Sequence, residues 1–427
     1  MSDSVRPRPS GLYRWAILIF VSLAMFGNYY VYDCIAPLAD LLARQLHFSD
    51  SNIGLLQAIY SIPNVVMVLI GGYIVDRIGT RKSIFIFGTI CLIGSIVTVL
   101  SPVLAVMASG RLIFGLGAES LIVAVTTALA KWFRGKELSF AFGINLMIAR
   151  LGTWLAQNSP TWASFAYTNW RTPLLISIAF ASFCVIGPAV YWILEAYAEK
   201  HFEVGQQGST DKVVFSDIFK FGLSYWYIVA LCIVFYSAIF PFETFAIKFF
   251  IEAHGTSRQL GGFLVSILTA STMFGTPLFG LFVDKVGKRA LLMMLGSTLL
   301  IPVYLMMAYT HISLYVPMAM MGIAFSLIPA VMWPSVAYIV DQSKLGTAYG
   351  LMTMIQNIGL AGFNLLVGWA NDYSHAGPNN PAGYHLGMWI FSILGFLGLL
   401  FAFLLRQREI GPQGHGLETI TTATAAA

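Results

Sequence analysis

Charge is what this chain has least of. Lys, Arg, Asp and Glu make up 10% of its 427 residues and hydrophobic residues 58%, whereas soluble domains carry roughly 25% charge. That excludes an ordinary soluble domain. Cysteine is scarce too: Cys34, Cys91, Cys184 and Cys232 are scattered without a CxxC pair, which argues for buried small residues and against a disulfide framework or thiolate metal site. The seven histidines, His47, His201, His254, His311, His375, His385 and His415, all fall in loops, tails or span ends, so no histidine relay at mid-membrane depth is expected. No clustered ligand set points to a metal, and no phosphate-cradling glycine loop points to ATP drive or another cofactor. An enzyme is not indicated.

What the chain has in abundance is long apolar runs. Twelve recur, the first near 14–42 and the last near 384–405, and roughly 20 apolar residues suffice for a helix to cross about 30 Å of hydrocarbon. Because these runs are continuous and do not alternate, and lipid excludes open sheet edges, they predict helices. Lys and Arg set the expected orientation. With the N-terminus inside, 18 of the 24 fall in cytoplasmic segments, three (Arg44, Arg171, Arg258) in external loops and three (Arg111, Arg150, Lys248) within spans. Both termini are therefore expected to be cytoplasmic. The net charge of +5 follows from this loop bias and implies no nucleic-acid partner. The first run is too long for a signal-peptide core and lacks a small-residue cleavage site, so it reads as a retained span.

The longest polar stretch, EAYAEKHFEVGQQGSTDKVVFSDIFKFG, divides the spans six and six. The expected organisation is an N-terminal bundle over 1–195, a cytoplasmic linker over 196–220, a C-terminal bundle over 221–408 and a flexible tail over 409–427. Within the linker, VVFSDIFKF is read either as an interfacial helix or as plain linker. The halves share a motif: GYIVDRIGTRK at 72–82 and GLFVDKVGKR at 280–289, 208 positions apart, each in the turn between the second and third span of its half. Repetition on this scale marks secondary transporters whose halves rock about a central site. Gly72 and Gly280 allow close helix approach, and Gly79 and Gly287 permit a tight turn. Asp76 and Asp284 can cap or pair with cations such as Arg77, Arg81, Lys285 and Arg289. We read this turn as a conformational latch, not a substrate site.

The repeated motif resembles the loop signature of the major facilitator superfamily, and Arg111 with Gly115 and Gly117 resembles a second motif of that superfamily. The resemblance implies an all-α membrane protein of 12 transmembrane helices in two pseudo-symmetric six-helix bundles, with Arg111 grouped among the conformational residues. A narrower likeness runs through FGNYYVYDCIAPL, RLIFGLGAESLIVA, WFRGKELSFAFGINLMIARLG, FPFETFAIKFF, WPSVAYIV and LGTAYGLMTMIQNIGLA. These stretches resemble the lysosomal dipeptide transporter group. That implies a dipeptide uniporter working by alternating access.

Charges inside the membrane are costly and are functional hypotheses by default. Counted from Arg134, Glu119 lies 15 residues back and Arg150 lies 16 forward, which places both roughly 23 Å along their helices at about 1.5 Å per residue. They share a depth near mid-span. A zwitterionic peptide needs a cation for its carboxylate and an anion for its ammonium; Arg150 offers the planar fork for the first and Glu119 serves the second. Two other readings stay open: a structural Glu119–Arg150 bridge joined by Arg111, and Glu119 as a proton carrier. Lys248 either snorkels near the external mouth or faces the cavity, as the resemblance implies; Glu243 departs from that pattern. Asp33, beside Tyr32, meets a peptide amino group or caps a broken helix before Pro37. Tyr60, Asn64 and Asn145 in the first half, and Tyr236, Trp333, Gln356 and Asn357 in the second, are polar groups that bond either a peptide backbone or neighbouring helices.

The competing function is proton-coupled symport or exchange of a small organic anion. A transport-dead sensor is disfavoured, because the tail after Arg408 is short. The N-terminal stretch MSDSVRPRPSGLY lacks an acidic dileucine signal and no external loop carries an N-x-Ser/Thr sequon. The expected location is therefore a bacterial inner membrane, with the lysosomal membrane second. The expected partners are the dipeptide and the lipid bilayer, with the protein monomeric and an accessory subunit left open.

Overall fold

The computed structural model describes residues 7, 9–133, 137–202, 221–341 and 344–421. Every one of the twelve apolar runs becomes a helix or a broken helix, because in lipid each backbone N–H and C=O must be satisfied within its own segment. In chain order these are α1 (Gly11–Asp33) with α2 (Ala39–Leu46), α3 (Asp50–Ile78), α4 (Thr80–Leu100), α5 (Leu104–Phe133) and α6 (Leu138–Gln157). A short α7 (Ser159–Trp162) follows, then the sixth span, α8 (Arg171–Ala181) with α9 (Phe183–His201). The second half has α10 (Leu223–His254), α11 (Arg258–Val286), α12 (Arg289–Tyr309), α13 (Tyr315–Ile339), α14 (Leu345–Tyr373) and α15 (His385–Ile410). Eleven of these spans are long and apolar enough to cross a membrane. The other, α6, carries Asn145 and Arg150 in its 20 residues. No β-strand occurs among the described residues. The protein is an all-α, multi-pass membrane protein.

Local chemistry sets the breaks. Ser10 caps α1 by accepting from Tyr13 N at 3.2 Å. α1 stops at Asp33, four residues ahead of Pro37, which has no N–H to donate and whose ring would clash with the Asp33 carbonyl in a continued helix. Residues Ala36–Leu38 then form a 3-10 turn that leads into α2.

The chain divides into two compact units. One comprises Met1–Ile35, Ile59–Ala156 and Phe165–Lys212; the other comprises Ala36–Ala58, Gln157–Ser164 and Val213–Ala427. Residues 36–58 and 157–164, which belong to N-terminal spans in the chain, therefore group with the C-terminal helices. The part of the linker expected at 203–220, including all but the last residue of the candidate interfacial helix, lies outside the described residues, as do Arg134 and Lys136.

Small residues let helix backbones meet, as is usual where lipid supplies no hydrophobic drive between helices. In the first unit a Cβ at Gly88 would strike the Cys184 carbonyl of α9, and one at Gly152 would strike the Phe26 carbonyl of α1. Phe87, Phe114, Trp132, Phe133 and Tyr191 fill the core between these backbones. In the second unit α10 is buried along most of its length, from Ser224 to Phe250. Residues 411–421, within the segment expected to be a flexible tail, fold back onto the start of α12: Lys288 N donates to Glu418 O at 3.2 Å and Arg289 N to Leu417 O at 3.1 Å.

Candidate functional site

In the first unit the ionisable residues of α1, α5 and α6 gather around aromatic rings. Tyr29 stands within electrostatic reach of Arg150, Glu119 and Asp33. The Arg150 guanidinium lies over the Tyr29 ring, 5.7 Å from its centroid, a cation–π placement that orients its planar fork. Asp33 is buried within reach of both Arg150 and Arg111 and faces Thr153. Tyr60 neighbours Glu119, Tyr29, Tyr32 and Asn64, and its ring lies 4.8 Å from that of Tyr32. Glu119, Arg150, Tyr29 and Tyr32 are partly exposed, whereas Asp33, Tyr60, Asn64 and Asn145 are buried.

Glu119 makes no hydrogen bond or ion pair with any described residue. The helix-tying Glu119–Arg150 bridge considered from the sequence is thus not formed. A carboxylate held in a span without a partner is destabilising, so its energetic case depends on what comes to meet it.

Arg111 lies within α5, apart from the two motif turns. It is 1% exposed and donates from Nη1 to Val31 O at 2.9 Å and from Nη2 to Tyr32 O at 3.2 Å. These are carbonyls of the last turn of α1, left without intrahelical partners where the helix stops. The Tyr60 and Phe114 rings flank the guanidinium at 5.7 and 5.4 Å. Asn145 accepts from Ser22 Oγ at 2.9 Å and so ties α6 to α1.

In the second unit Trp333 Nε1 donates to Tyr236 OH at 2.9 Å, and Tyr349 OH donates to the Trp333 carbonyl at 3.1 Å. Asn357 donates to its own helix at Thr353 O, 3.0 Å away, and Gln356 is partly exposed. Lys248 is enclosed: its ammonium lies 2.9 Å from Asp50, 3.0 Å from Glu252 and 2.9 Å from Tyr384 OH, with the Lys248, Asp50 and Glu252 side chains all at most 7% exposed. Its three N–H donors thus all have partners in the chain. Asp372 accepts from Asp50 N and Ser51 N, both at 2.8 Å, at the start of α3. Asp40 pairs with Arg258 and Arg44. Glu243 accepts from Gln157 at 3.5 Å, and Gln157 in turn accepts from Thr269 at 2.7 Å.

The two motif turns are built differently. Gly79 has φ +84° and Gly287 φ +67°, a backbone region that side chains resist. Around the first turn Arg81 pairs with Glu199 at 3.1 Å, and Lys131 pairs with Glu195 at 2.7 Å and Glu199 at 3.5 Å. Around the second, Arg289 pairs with Asp284 at 3.3 Å within the turn and covers the Tyr338 ring at 4.6 Å.

Sequence reasoning did not single out Tyr29 as the ring under Arg150, nor Asp50, Glu252, Tyr384, Asp372, Glu195 and Glu199 as charge partners. Glu195 and Glu199, four apart at the end of the sixth span, carried the one readable signal: an acidic pair beside a basic turn.

The helix pattern and repeat are matched by comparison with known proteins: the sequence profile of the Major Facilitator Superfamily matches residues 21–363 and 237–421. The chain belongs to the major facilitator superfamily. As a member it is a transporter, not an enzyme. The lysosomal dipeptide transporter MFSD1 of Danio rerio is 34% identical over 371 residues, covering 84% of this chain and 80% of the relative. That of Homo sapiens is 33% identical over 380 residues, covering 85% and 81%. Among solved structures, a bacterial homolog of the human lysosomal transporter Spinster, inward-facing and unoccupied, superposes with a TM-score of 0.74 at 17% identity, covering 93% of this chain and 98% of that one. A variant of the nucleoside transporter NupG gives 0.72 at 16%, covering 92% and 99%. At such identities these structures speak for the fold of this facilitator alone.

Proposed function

We propose that this facilitator carries dipeptides across its membrane by alternating access, as a uniporter. The observation that carries the reading is the pairing of a partnerless carboxylate, Glu119, with a ring-supported guanidinium, Arg150, around Tyr29. A zwitterion with its charges separated along a short backbone complements an anionic and a cationic side chain at once, which neither a simple anion nor a cation does. The relatives named as dipeptide transporters support the same substrate class. In this reading Arg150 holds the peptide carboxylate, and Glu119 meets the ammonium with Asp33 nearby. Tyr32, Tyr60 and Asn145 are the further substrate-site candidates of the first unit, and Tyr236, Trp333, Gln356 and Asn357 those of the second, whereas Lys248, enclosed by Asp50, Glu252 and Tyr384, is assigned to the fold. The turns at Gly72, Asp76, Arg77, Gly79 and Arg81 and at Asp284, Lys285, Gly287 and Arg289 act as latches, with Arg111 fixing the end of α1.

The proposal extends to organisation: two six-helix bundles over 1–195 and 221–408, both termini cytoplasmic, and a monomer. For the membrane, the relatives' names favour the lysosomal location over the bacterial inner membrane expected from the sequence.

Counterflow of a labelled dipeptide into proteoliposomes, with free amino acid as the comparison, tests the substrate class. Uptake of the dipeptide alone, reduced in Arg150→Ala and Glu119→Gln, is the expected result; equal uptake by all three proteins removes the site assignment. The lack of a partner at Glu119 also suits a proton carrier. Accumulation driven by an imposed pH gradient would replace uniport with proton-coupled transport.

A further inference from the structure

The two copies of the repeated motif are offset by 208 residues, so Thr80 corresponds to Lys288 and Arg81 to Arg289. The first copy is held by carboxylates on α9, the last helix of its half: Glu195 accepts from Thr80 at 3.4 Å and Glu199 pairs with Arg81. No such carboxylate among the described residues of α15, the last helix of the second half, reaches the second copy; Glu409, near the end of α15, is taken by Ser224 Oγ and His415 N, both at 2.7 Å. The chain turns back after Ile410 and brings Glu418 to the start of α12, beside the second copy.

There Glu418 Oε1 accepts from Ala290 N at 2.8 Å and Leu291 N at 3.2 Å, which satisfies two of the N–H groups that α12 exposes at its start. Its Oε2 lies 3.6 Å from Arg406 Nε. Its backbone carbonyl accepts from Lys288 N. Arg289 Nη1 donates to Ile420 O at 2.6 Å, and Leu417 is fully buried. The segment is moored behind by His415, whose Nδ1 lies 3.0 Å from Glu409. A Cβ at Gly287 would press within 3.3 Å of the Glu418 and Ile420 carbonyls, so the left-handed glycine of the turn and the tail are fitted to each other.

We propose that residues 411–421 are a strap that forms part of the second latch: Glu418, supplied from beyond the last helix, clamps the α11–α12 turn in the arrangement seen here, and its release accompanies the conformational exchange of the transporter. The proposal stands on the second unit alone and does not depend on what the protein carries.

The test uses the full chain in lipid nanodiscs, with Glu418→Ala, Glu418→Gln and a form ending at Ile410. Amide hydrogen exchange at residues 290 and 291 should quicken about fivefold in Glu418→Ala, the usual scale for losing a helix cap. It should stay near wild type in Glu418→Gln, whose amide oxygen still accepts. Spin labels at Val103→Cys and Ser313→Cys, on turns expected to face outside in each half, then report the populations of the two arrangements. A shift of at least about threefold in their ratio is expected in Glu418→Ala and in the shortened form. Unchanged exchange at 290 and 291 overturns the clamp, and faster exchange with an unmoved ratio overturns the latch and leaves a structural staple.

Discussion

At the scale of single residues, the site's chemistry rests on groups that differ in how far the chain itself satisfies them. Arg111 is fully committed: it serves carbonyls of α1 and lies between two rings. Replacing it with Met removes the guanidinium donors from those buried carbonyls and leaves Val31 O the weaker Cys34 thiol, a cost of about 1–3 kcal/mol. We expect Arg111→Met to lower the thermal midpoint of the detergent-solubilised protein, with Arg111→Lys recovering only part, because one ammonium cannot reproduce the fork. Arg150 is placed differently, with its guanidinium over the Tyr29 ring, 5.7 Å from the centroid. Arg150→Ala should leave the midpoint nearly unchanged while reducing dipeptide counterflow by about tenfold or more, the scale of a lost charge-assisted bond. A fall in stability equal to that of the Arg111 variant would make Arg150 structural instead. Both arginines stood out in the sequence as charges within spans, yet their roles could not be separated there, because spacing along a helix says nothing of which carbonyl or ring lies opposite.

At the scale of elements, the turns were the most legible feature, whereas the close helix approach expected at Gly280 is not made, since nothing lies within 4 Å of a Cβ there. The repeated Gly79 and Gly287 were read as tight turns, and both take positive φ. Gly79→Ala places a side chain at φ +84°, ψ 160°, a region essentially reserved to glycine, at about 1–3 kcal/mol; the expected outcome is a lowered midpoint and reduced folded yield, measured beside Gly222→Ala, whose surroundings are open. Helix contacts follow the same logic: Gly88→Leu drives a branched side chain into the α9 backbone at Cys184 and should abolish the folded monomer in size-exclusion chromatography. The α1 break was foreshadowed by Pro37, but not where α1 would end or that Arg111 would close it. The partners of the two motif copies were illegible for a related reason. Glu199 and Glu418 are far from their turns in sequence, and only the return of α9 and of residues 411–421 brings them close.

At the scale of the whole molecule, Lys248 shows how tertiary context reassigns a charge. From the sequence it was a cation near the external mouth, open to the cavity or to the interface. In the fold its ammonium is enclosed by Asp50, Glu252 and Tyr384, and Asp50 reaches it from the start of α3, 198 positions away. Removing one member of a buried ion group costs far more than removing both, about 3–5 kcal/mol for the single change. We expect Lys248→Met to destabilise strongly and Lys248→Met with Asp50→Asn to recover a large part, read as thermal midpoints in a double-mutant cycle. Additive losses would mean that the pair is not coupled.

Sequence by itself determined the class of protein, its helical make-up and the position of every span. All of these depend on local composition and period, which lipid enforces segment by segment. Tertiary structure decided the pairings: Arg150 on Tyr29, Arg111 on α1, Lys248 among acids, Glu418 on α12. Each joins residues brought together by chain reversal, and a one-dimensional pattern of apolar runs carries no record of which faces will meet.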